Sequence, residues 1–426
     1  MRRTALLLQI LALLFPGLPA LSLAAPLTLE AVLAEVDAPH PEMRVSEARH
    51  ALARADQQLA ASLDDLSVTL DATLRSGRNP ALGGYAPDHL ARLNIKKTLL
   101  DAGRFEALRG ATENETAAAF LQHTDLRAQR RITLMARFFD VLLADLAYAA
   151  DSEFMAVAYV RWDNGKDLHQ LGQISTPQWL DLEARYQELR LRRNDSERRM
   201  REKRALLAMA MNRPGDLASE VVDPALTGNN RALPEFDNLL VHLTAHNPKL
   251  AALRLQLEAA RLRVTGVRAS DGPRLEAEAE AGAYSRDAST RDSVRAGINL
   301  VWPLSQGRRT DGEMAREQAR LQQLQAEADL LALNLRQALY DTWQEIQLLR
   351  DVERKTTQAQ AVQRDWALER ARAEYELELK TNLGVSMAET QAARLLNRSV
   401  EYRLALAWAR MDALLGVPLD YKEKKR

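Results

Sequence analysis

The stretch Leu275-Glu-Ala-Glu-Ala-Glu-Ala-Gly-Ala-Tyr284 alternates apolar or small residues with polar ones. Successive side chains of a strand point to opposite faces, so this pattern gives one apolar face and one face of carboxylates. A turn rich in Asp, Ser and Arg follows at 286–292, and residues 297–302 alternate again before Pro303. The pattern predicts a pair of strands over about 274–304.

The first half of the chain repeats this arrangement. Apolar residues at 68, 70, 72 and 74 alternate with polar ones, and 77–88 is a Gly/Pro-rich segment that reads as a loop. Leu93 and Ile95 then alternate with Asn94 and Lys96. A second strand pair is therefore expected over about 66–100. Strands of this length with one apolar face fit a transmembrane barrel.

A long helix is expected after the second strand pair, from Thr310 to Lys380. This stretch has one early glycine, Gly312, and otherwise strong helix formers. Apolar residues recur there over 28 positions in eight steps, a mean of 3.5: Leu321, Leu324, Ala328, Leu331, Leu335, Leu339, Trp343, Ile346 and Leu349. This is coiled-coil spacing, and a helix of that length would extend on the order of 100 Å, more than a compact domain allows.

Matching motifs indicate that the chain is an internal duplication. His40-Pro41 corresponds to Asn247-Pro248, and the Gly-Arg pair 103–104 corresponds to 307–308. Each half reads helix, strand, strand, long helix, shorter helix. We expect a first repeat over 25–231, a second over 232–420, and a basic tail at 421–426.

The N-terminus resembles a secretory signal peptide over 1–24, with Arg2 and Arg3 before an apolar run and Ser22-Leu-Ala24 as the cleavage site. A membrane anchor is the alternative, but the run is shorter than the roughly 20 residues that a spanning helix needs. The chain has no cysteine, which excludes disulfides and thiolate metal sites. Its charge is balanced, so nucleic acid is not an expected partner.

Four strands with a lipid-compatible face cannot close a barrel within one chain. Open strand edges in hydrocarbon would leave backbone groups unpaired at several kcal/mol each. Three copies would supply twelve strands, and a barrel wider than eight strands can enclose a pore. The residues therefore predict a secreted, oligomeric, membrane-embedded tube.

The order of these segments resembles the TolC-like outer-membrane efflux family across the whole mature chain. The residues that carry the resemblance are LTLEAVLAEVDAPHPEMR (27–44), LLDAGR (99–104), LVWPLSQGRR (300–309) and LLGVP (414–418). The resemblance implies a mostly α fold, with long α-helical hairpins and four strands per chain in a trimeric twelve-stranded barrel. It implies a homotrimer in the Gram-negative outer membrane, embedded in its lipid, with a large periplasmic part. It also implies docking with a periplasmic adaptor and an inner-membrane pump, whose type (RND, ABC or MFS) stays open.

The resemblance also implies a helix–helix turn at the periplasmic tip of each half. The first is 171–175, with Gly172 and Ser175; the second is 375–383, with Glu378 in the place of the glycine. Tyr375, Lys380 and Asn382 belong to the second turn. The expected role is adaptor docking and gating of the closed end, and a plain helical turn is the alternative. Gly103, Arg104, Pro303, Gly307 and Arg308 are expected to shape the junctions between strands and helices.

Glu276, Glu278 and Glu280 are expected to line the pore, because the opposite face suits lipid. In a trimer they would form a band of nine carboxylates that favours cations, as rings of acidic side chains do in channels. The alternative is a merely solvated barrel interior.

The two halves differ in register before their Gly-Arg pairs. Apolar residues of the second strand stand nine, seven and five positions before Gly307, whereas the equivalent positions before Gly103 are polar. A slip of one residue turns every side chain to the other face. We therefore expect a bulge between Ile95 and Gly103.

Other functions find little support in the residues. His242 and His246 have zinc-site spacing, but no third ligand is evident, so no metal is expected. No cofactor motif and no catalytic constellation is present, so an enzyme is not expected. A periplasmic adaptor would carry its helical hairpin once, beside Gly/Val-rich β domains. A coiled-coil scaffold would lack the four strands.

Overall fold

The computed structural model of the chain describes residues 26–79, 84–217, 220–285, 292–378 and 382–416. The expected signal peptide, Lys380 and the basic tail lie outside these residues. The helices are α1 Leu29–Ala34, α2 Pro41–Ala61, α3 Arg104–Gln170, α4 Thr176–Ala210, α5 Phe236–His246, α6 Pro248–Ala269, α7 Arg309–Leu348, α8 Arg354–Glu376 and α9 Leu383–Leu415. The strands are β1 Ser67–Thr73, β2 Ser76–Asn79, β3 Gly84–Pro87, β4 Leu90–Leu100, β5 Arg274–Tyr284 and β6 Val294–Val301.

Equivalent helices of the two halves begin in the same way. Pro41 and Pro248 each occupy the first helical turn, where proline's missing N–H costs nothing. The preceding residue caps each helix: His40 Nδ1 accepts from the Glu42 amide at 3.3 Å, and Asn247 Oδ1 accepts from the Leu250 amide at 3.0 Å. The two starts are therefore local consequences of the sequence.

A four-stranded antiparallel sheet has the order β1-β4-β5-β6. Its central pair, β4 with β5, joins the two halves of the chain. The ladder between them shifts register between Thr98 and Leu100, which confirms the expected bulge.

The segment between β1 and β4 is more regular than the sequence predicts. Strands β2 and β3 pair antiparallel there, so the reading of 77–88 as a loop is wrong at its two ends. Gly77 pairs with Ala86, and Arg78 with Tyr85. Glycine and proline are poor strand formers, so the composition concealed this hairpin. Residues 80–83, at its turn, lie outside the described part.

The two long helical segments are almost equal in length but differ in continuity. α3 is one helix of 67 residues. In the second half, a π-helical turn at Leu349–Glu353 separates α7 from α8, and α8 ends at Glu376. The expectation of one unbroken helix to Lys380 is therefore wrong. The π turn begins at Leu349, where the apolar series used for the prediction ends, so that series gives no signal of it.

The chain divides into two compact units, and each takes residues from both halves of the sequence. The sheet unit comprises 39–132, 228–356 and 400–416; the hairpin unit comprises 26–38, 133–227 and 357–399. The main hydrophobic core belongs to the sheet unit, where α5, α7 and α9 meet. Its largest fully buried members are Trp408, Leu243, Leu339, Ile346, Leu349, Leu404 and Met411.

Within the described part of the chain, no helix combines the length and the apolar character that crossing a membrane requires.

Candidate functional site

One face of the sheet is apolar on all four strands. In the ladder, Val68 stands opposite Ile95, Ile95 opposite Ala279, and Ala279 opposite Ala296. Large side chains on this face are exposed among the described residues: Leu70 is 69% exposed and Ile298 65%. Large exposed apolar patches mark membrane or protein contacts.

The opposite face carries the three glutamates of β5. Ser67, Lys96, Glu278 and Gly297 lie in one row of the ladder, so the glutamates share their face with the polar residues of the other strands. Glu280 is only 6% exposed, and among the described residues it is the most buried charged side chain of the sheet.

Every one of these glutamates is paired with a cation. Glu276 Oε1 lies 2.8 Å from Arg274 Nε, and Glu278 Oε1 lies 3.2 Å from Lys96 Nζ. Glu280 contacts Arg295 Nη2 at 2.7 Å. Two further polar contacts support the row: Arg92 Nη1 lies 3.9 Å from Glu280, and Asn299 Nδ2 donates to Glu278 at 2.8 Å. Sequence reasoning missed these cations, because three of them lie on other strands.

The charges of this face therefore balance within the described strands. Four carboxylates, at Asp71 and the three glutamates, face four cations: Arg92, Lys96, Arg274 and Arg295. The one remaining charge in the four strands of this sheet, Lys97, stands opposite Ala277 on the apolar face. The glutamates thus lie on the polar face as expected, but the face as a whole is not acidic.

The first tip turn closes α3 with the hydrogen bonds of a Schellman motif. Gly172 has φ +71°, its amide donates to His169 O at 3.0 Å, and the Gln173 amide donates to Leu168 O at 2.8 Å. Ser175 then begins α4 with a capping box: its hydroxyl accepts from the Gln178 amide, and the Gln178 side chain accepts from the Ser175 amide. Both Gly172 and Ser175 therefore have local structural roles.

The second tip turn repeats this geometry without the glycine. Glu378 has φ +54°, and its amide donates to Tyr375 O at 3.0 Å, as Gly172 does one repeat earlier. The alignment of Glu378 with Gly172 is thus consistent with the backbone. Asn382 is exposed, and its backbone carbonyl accepts the first hydrogen bond of α9, from the amide of Ser386.

Sequence reasoning gave no weight to the residue before each left-handed position. Leu171 is 71% exposed and Leu377 69%, and each directly precedes the residue with positive φ. Both leucines thus occupy equivalent turn positions and remain mostly exposed among the described residues. The sequence feature that could have identified them is a leucine at the equivalent position of both repeats.

The strand–helix junctions also depend on left-handed backbone. Gly103 has φ +87° and Gly307 φ +64°. Asp101 holds the first junction, since its carboxylate accepts from the amides of Gly103 at 3.2 Å and Phe105 at 2.5 Å. In the second junction the Ser305 hydroxyl accepts from the Gly307 amide at 3.4 Å. Pro303, Arg104 and Arg308 flank these turns at the positions that the sequence predicts.

His242 and His246 stack on each other, with ring centroids 4.3 Å apart. His246 Nδ1 lies 3.2 Å from the carbonyl oxygen of His242, so this ring lies against the last turn of its own helix, α5. Among the described residues, no group of three or more His, Asp or Glu is placed to hold a metal ion.

The sequence matches the outer membrane efflux protein family over residues 239–417. No protein of curated function matches the chain by sequence.

The structure is similar to several solved structures over most of both chains. One is the outer membrane protein VceC of Vibrio cholerae, 18% identical, with a TM-score of 0.72 over 91% of this chain and 96% of that chain. Another is the CmeC outer membrane channel of Campylobacter jejuni, 14% identical, with a TM-score of 0.73 over 92% and 86%. CusC, described as forming a transmembrane channel, is 15% identical, with a TM-score of 0.73 over 91% and 92%. Identities this low establish a common fold.

Proposed function

We propose that this chain is a member of the outer membrane efflux protein family and the outer membrane channel subunit of a tripartite export system. The family match over 239–417 and the fold of the described chain support this proposal. Three copies form the channel. Each supplies four strands to a twelve-stranded β-barrel in the outer membrane and its long helices to an α-barrel in the periplasm.

The apolar face of the four-stranded sheet is the observation that carries this proposal. Its side chains are exposed in the single chain and lie on consecutive strands in register. A sheet with two open edges and such a face is stable in lipid only when copies close it into a barrel. The polar face, with Glu276, Glu278 and Glu280, then lines the pore.

The partners of the channel are a periplasmic adaptor and an inner-membrane pump. We assign adaptor docking to the tip turns, at Gly172, Ser175, Tyr375, Lys380 and Asn382, because these turns close both helical hairpins. The exposed Leu171 and Leu377 add apolar contact area there.

The two alternative classes do not fit the fold. An adaptor would carry one helical hairpin, whereas this chain has two, one in each half. A coiled-coil scaffold would have no reason to build the four-stranded sheet. Members of the matched family are channels rather than enzymes.

A charge placed on each face in turn tests the proposal. Ile298→Arg puts a cation on the apolar face, and Asn299→Arg puts the same cation on the polar face one residue later. An arginine that faces lipid costs about 2–4 kcal/mol near the midplane of a barrel membrane. We expect Ile298→Arg to reduce the heat-modifiable trimer in the outer membrane fraction, and Asn299→Arg to leave it unchanged.

Equal trimer levels for the two variants would contradict a lipid contact at this face. A wild-type chain recovered as a soluble monomer would contradict the channel itself.

A further inference from the structure

Helix α2 presents an apolar stripe that nothing in the described chain covers. Val45, Leu52 and Leu59 recur at intervals of seven, which places them on one helical face, and all three are exposed; Leu63, in the turn that follows α2, is exposed as well. A different face of α2 packs on α3: the Thr116 hydroxyl donates to Ala53 O at 3.0 Å. The stripe therefore points away from the only neighbour that α2 has in these contacts.

Helix α6, the duplicate of α2, is covered on the corresponding face. The helix starts and the strands that follow are both 207 positions apart, so Leu59 corresponds to Gly266. A Cβ on Gly266 would stand 3.6 Å from Ala107 Cβ of α3. Ala252 and Ala259, the counterparts of Val45 and Leu52, are buried. In the second repeat this face thus packs on α3.

The counterpart of α3 is α7. The junction glycines Gly103 and Gly307 are 204 positions apart, but along the helices the structure places equivalent residues 205 positions apart. Ser67 pairs with Lys96 and its equivalent Arg274 with Val301, and the two helices begin at Arg104 and Arg309. Buried positions agree as well: Thr112 with Glu317, Leu134 with Leu339, and Val141 with Ile346. If the interface between α6 and α3 is repeated, the stripe of α2 packs on an α7.

We propose that the stripe of α2 packs on α7 of the neighbouring subunit, with Asp56 paired to Arg320 of the partner subunit and Leu59 seated on the partner's Gly312. This inference rests on the proposed trimeric channel and names the residues that hold its subunits together.

Charge supports this partner. Between α6 and α3, Arg263 binds Glu115 through two hydrogen bonds, of 2.9 and 2.8 Å. The duplicate positions carry the opposite charges, since Asp56 replaces Arg263 and Arg320 replaces Glu115. Among the described residues, neither Asp56 nor Arg320 forms a direct ion pair in the chain, although Glu115 and, after it, the charge of Asp56 raise the pKa of Arg263, and Arg320 lines the same groove as Glu115 and Arg263.

Side-chain volume also differs between the two interfaces at equivalent positions. Gly266 on Ala107 becomes Leu59 on Gly312, so a large side chain meets a glycine. A Cβ on Gly312 would meet no atom within 4 Å in the single chain. Glycine is unfavourable in a helix, and close approach of a partner explains its presence here.

At the second contact, the side chain contributed by α2 is smaller than its counterpart on α6. A Cβ on Gly110 would stand 3.1 Å from Leu262 Cδ1. The duplicate positions are Ala55 and Ala315, so a large–small pair becomes a small–small pair. The reversed charges and the changed volumes make the two interfaces different, so they favour α2 over α6 as the helix that meets the next subunit.

Disulfide trapping tests the contact directly, because the chain has no native cysteine. The Gly266–Ala107 template has a Cβ separation of 3.6 Å, within the range for a disulfide. Leu59→Cys with Gly312→Cys should give oxidised bands of crosslinked subunits on non-reducing gels of outer membranes. Leu59→Cys with Gln318→Cys, a mismatched partner about 9 Å further along α7, should give none. Gly266→Cys with Ala107→Cys should crosslink only within one subunit.

Charge reversal tests the ion pair independently. Asp56→Arg and Arg320→Asp should each lower the temperature at which the trimer dissociates in detergent, and the double exchange should restore most of the loss. Trimers that form but show neither the crosslink nor the restoration would overturn this inference and leave the channel intact. A wild-type chain that never forms trimers would instead overturn the proposed function.

Discussion

Glu378 adopts a left-handed backbone conformation at a turn where the first repeat uses Gly172. For a residue with a Cβ this conformation costs about 1–2 kcal/mol. The local sequence alone would not select it, because glutamate has no preference for positive φ. The hydrogen bond of its amide to Tyr375 O closes α8 in the same way that Gly172 closes α3, and this offsets part of the cost.

His40 is a residue at which pH should act on stability. Its ring accepts a hydrogen bond from the Glu42 amide only when Nδ1 is unprotonated. Burial lowers the pKa of His40, and the nearby Arg130 lowers it further. The unfolded chain therefore takes up a proton first, and the stability contributed by the cap is lost as pH falls below about 6.5.

We predict that His40→Asn removes this pH dependence. Asparagine caps the equivalent helix at Asn247 and does not titrate. Between about pH 7 and pH 5 the wild type should lose about 1 kcal/mol more stability than the variant, the typical value of a cap. Thermal unfolding of the detergent-solubilised trimer would measure this difference. Equal losses in both proteins would show that the cap is not coupled to protonation.

At the scale of elements, the polar face of the sheet changes the expectation about ion selectivity. From β5 alone, nine carboxylates per trimer favour cations. The ladder adds Asp71 from β1 and brings four cations per chain from β4, β6 and the start of β5 to the same face, so a trimer has twelve charges of each sign there. We therefore expect a barrel lumen with little preference between cations and anions.

Neutralising the charges of one sign on the polar face should reveal that carboxylates and cations balance there. The triple variant of Glu276, Glu278 and Glu280 to Gln leaves four cations against Asp71, so we predict that the pore becomes anion-selective. Changing Arg92, Lys96 and Arg295 to Gln should shift it towards cations. Both effects should weaken at high salt, since the Debye length is about 8 Å at physiological ionic strength and about 3 Å at 1 M.

Reversal potentials in planar bilayers under a salt gradient would measure both shifts. A wild-type pore with a strong cation preference, abolished by the glutamate variant, would instead support the acidic lumen that β5 alone suggests.

At the scale of the whole molecule, the exposed leucines of the tip turns allow a test of the proposed adaptor docking. Leu171 and Leu377 contribute little to folding, because most of each side chain is exposed. We predict that Leu171→Asp with Leu377→Asp leaves the trimer intact but reduces co-purification with the adaptor and export from cells.

Val241→Asp is the matched control, since Val241 is also 70% exposed but lies on α5 in the sheet unit. If both variants lower export equally, the loss cannot be assigned to docking at the tip. Unchanged export by the tip variant would place docking on other residues.

Local patterns in the sequence determined the elements. Alternation over 275–284 predicted β5, the 3.5-residue spacing predicted the long helix, and the two X-Pro motifs marked equivalent helix starts, because each signal depends on neighbouring residues only. The bulge before Gly103 was also predictable. It follows from comparing which alternate positions are apolar before Gly103 and before Gly307, in two copies of one unit. The hairpin of β2 and β3 and the π turn were not, because both break the local rules that such predictions use.

Only the tertiary structure decided which charges meet. Lys96 and Glu278 are 182 positions apart in the chain, and Arg263 and Glu115 are 148 apart, so the pairing of each depends on strand register or helix packing. Coulomb energy falls with distance in space and is indifferent to distance along the chain. The sequence by itself therefore determined a duplicated, strand-bearing helical subunit, and the packing of its elements decided that the polar face is balanced and that one face of α2 remains uncovered in the described chain.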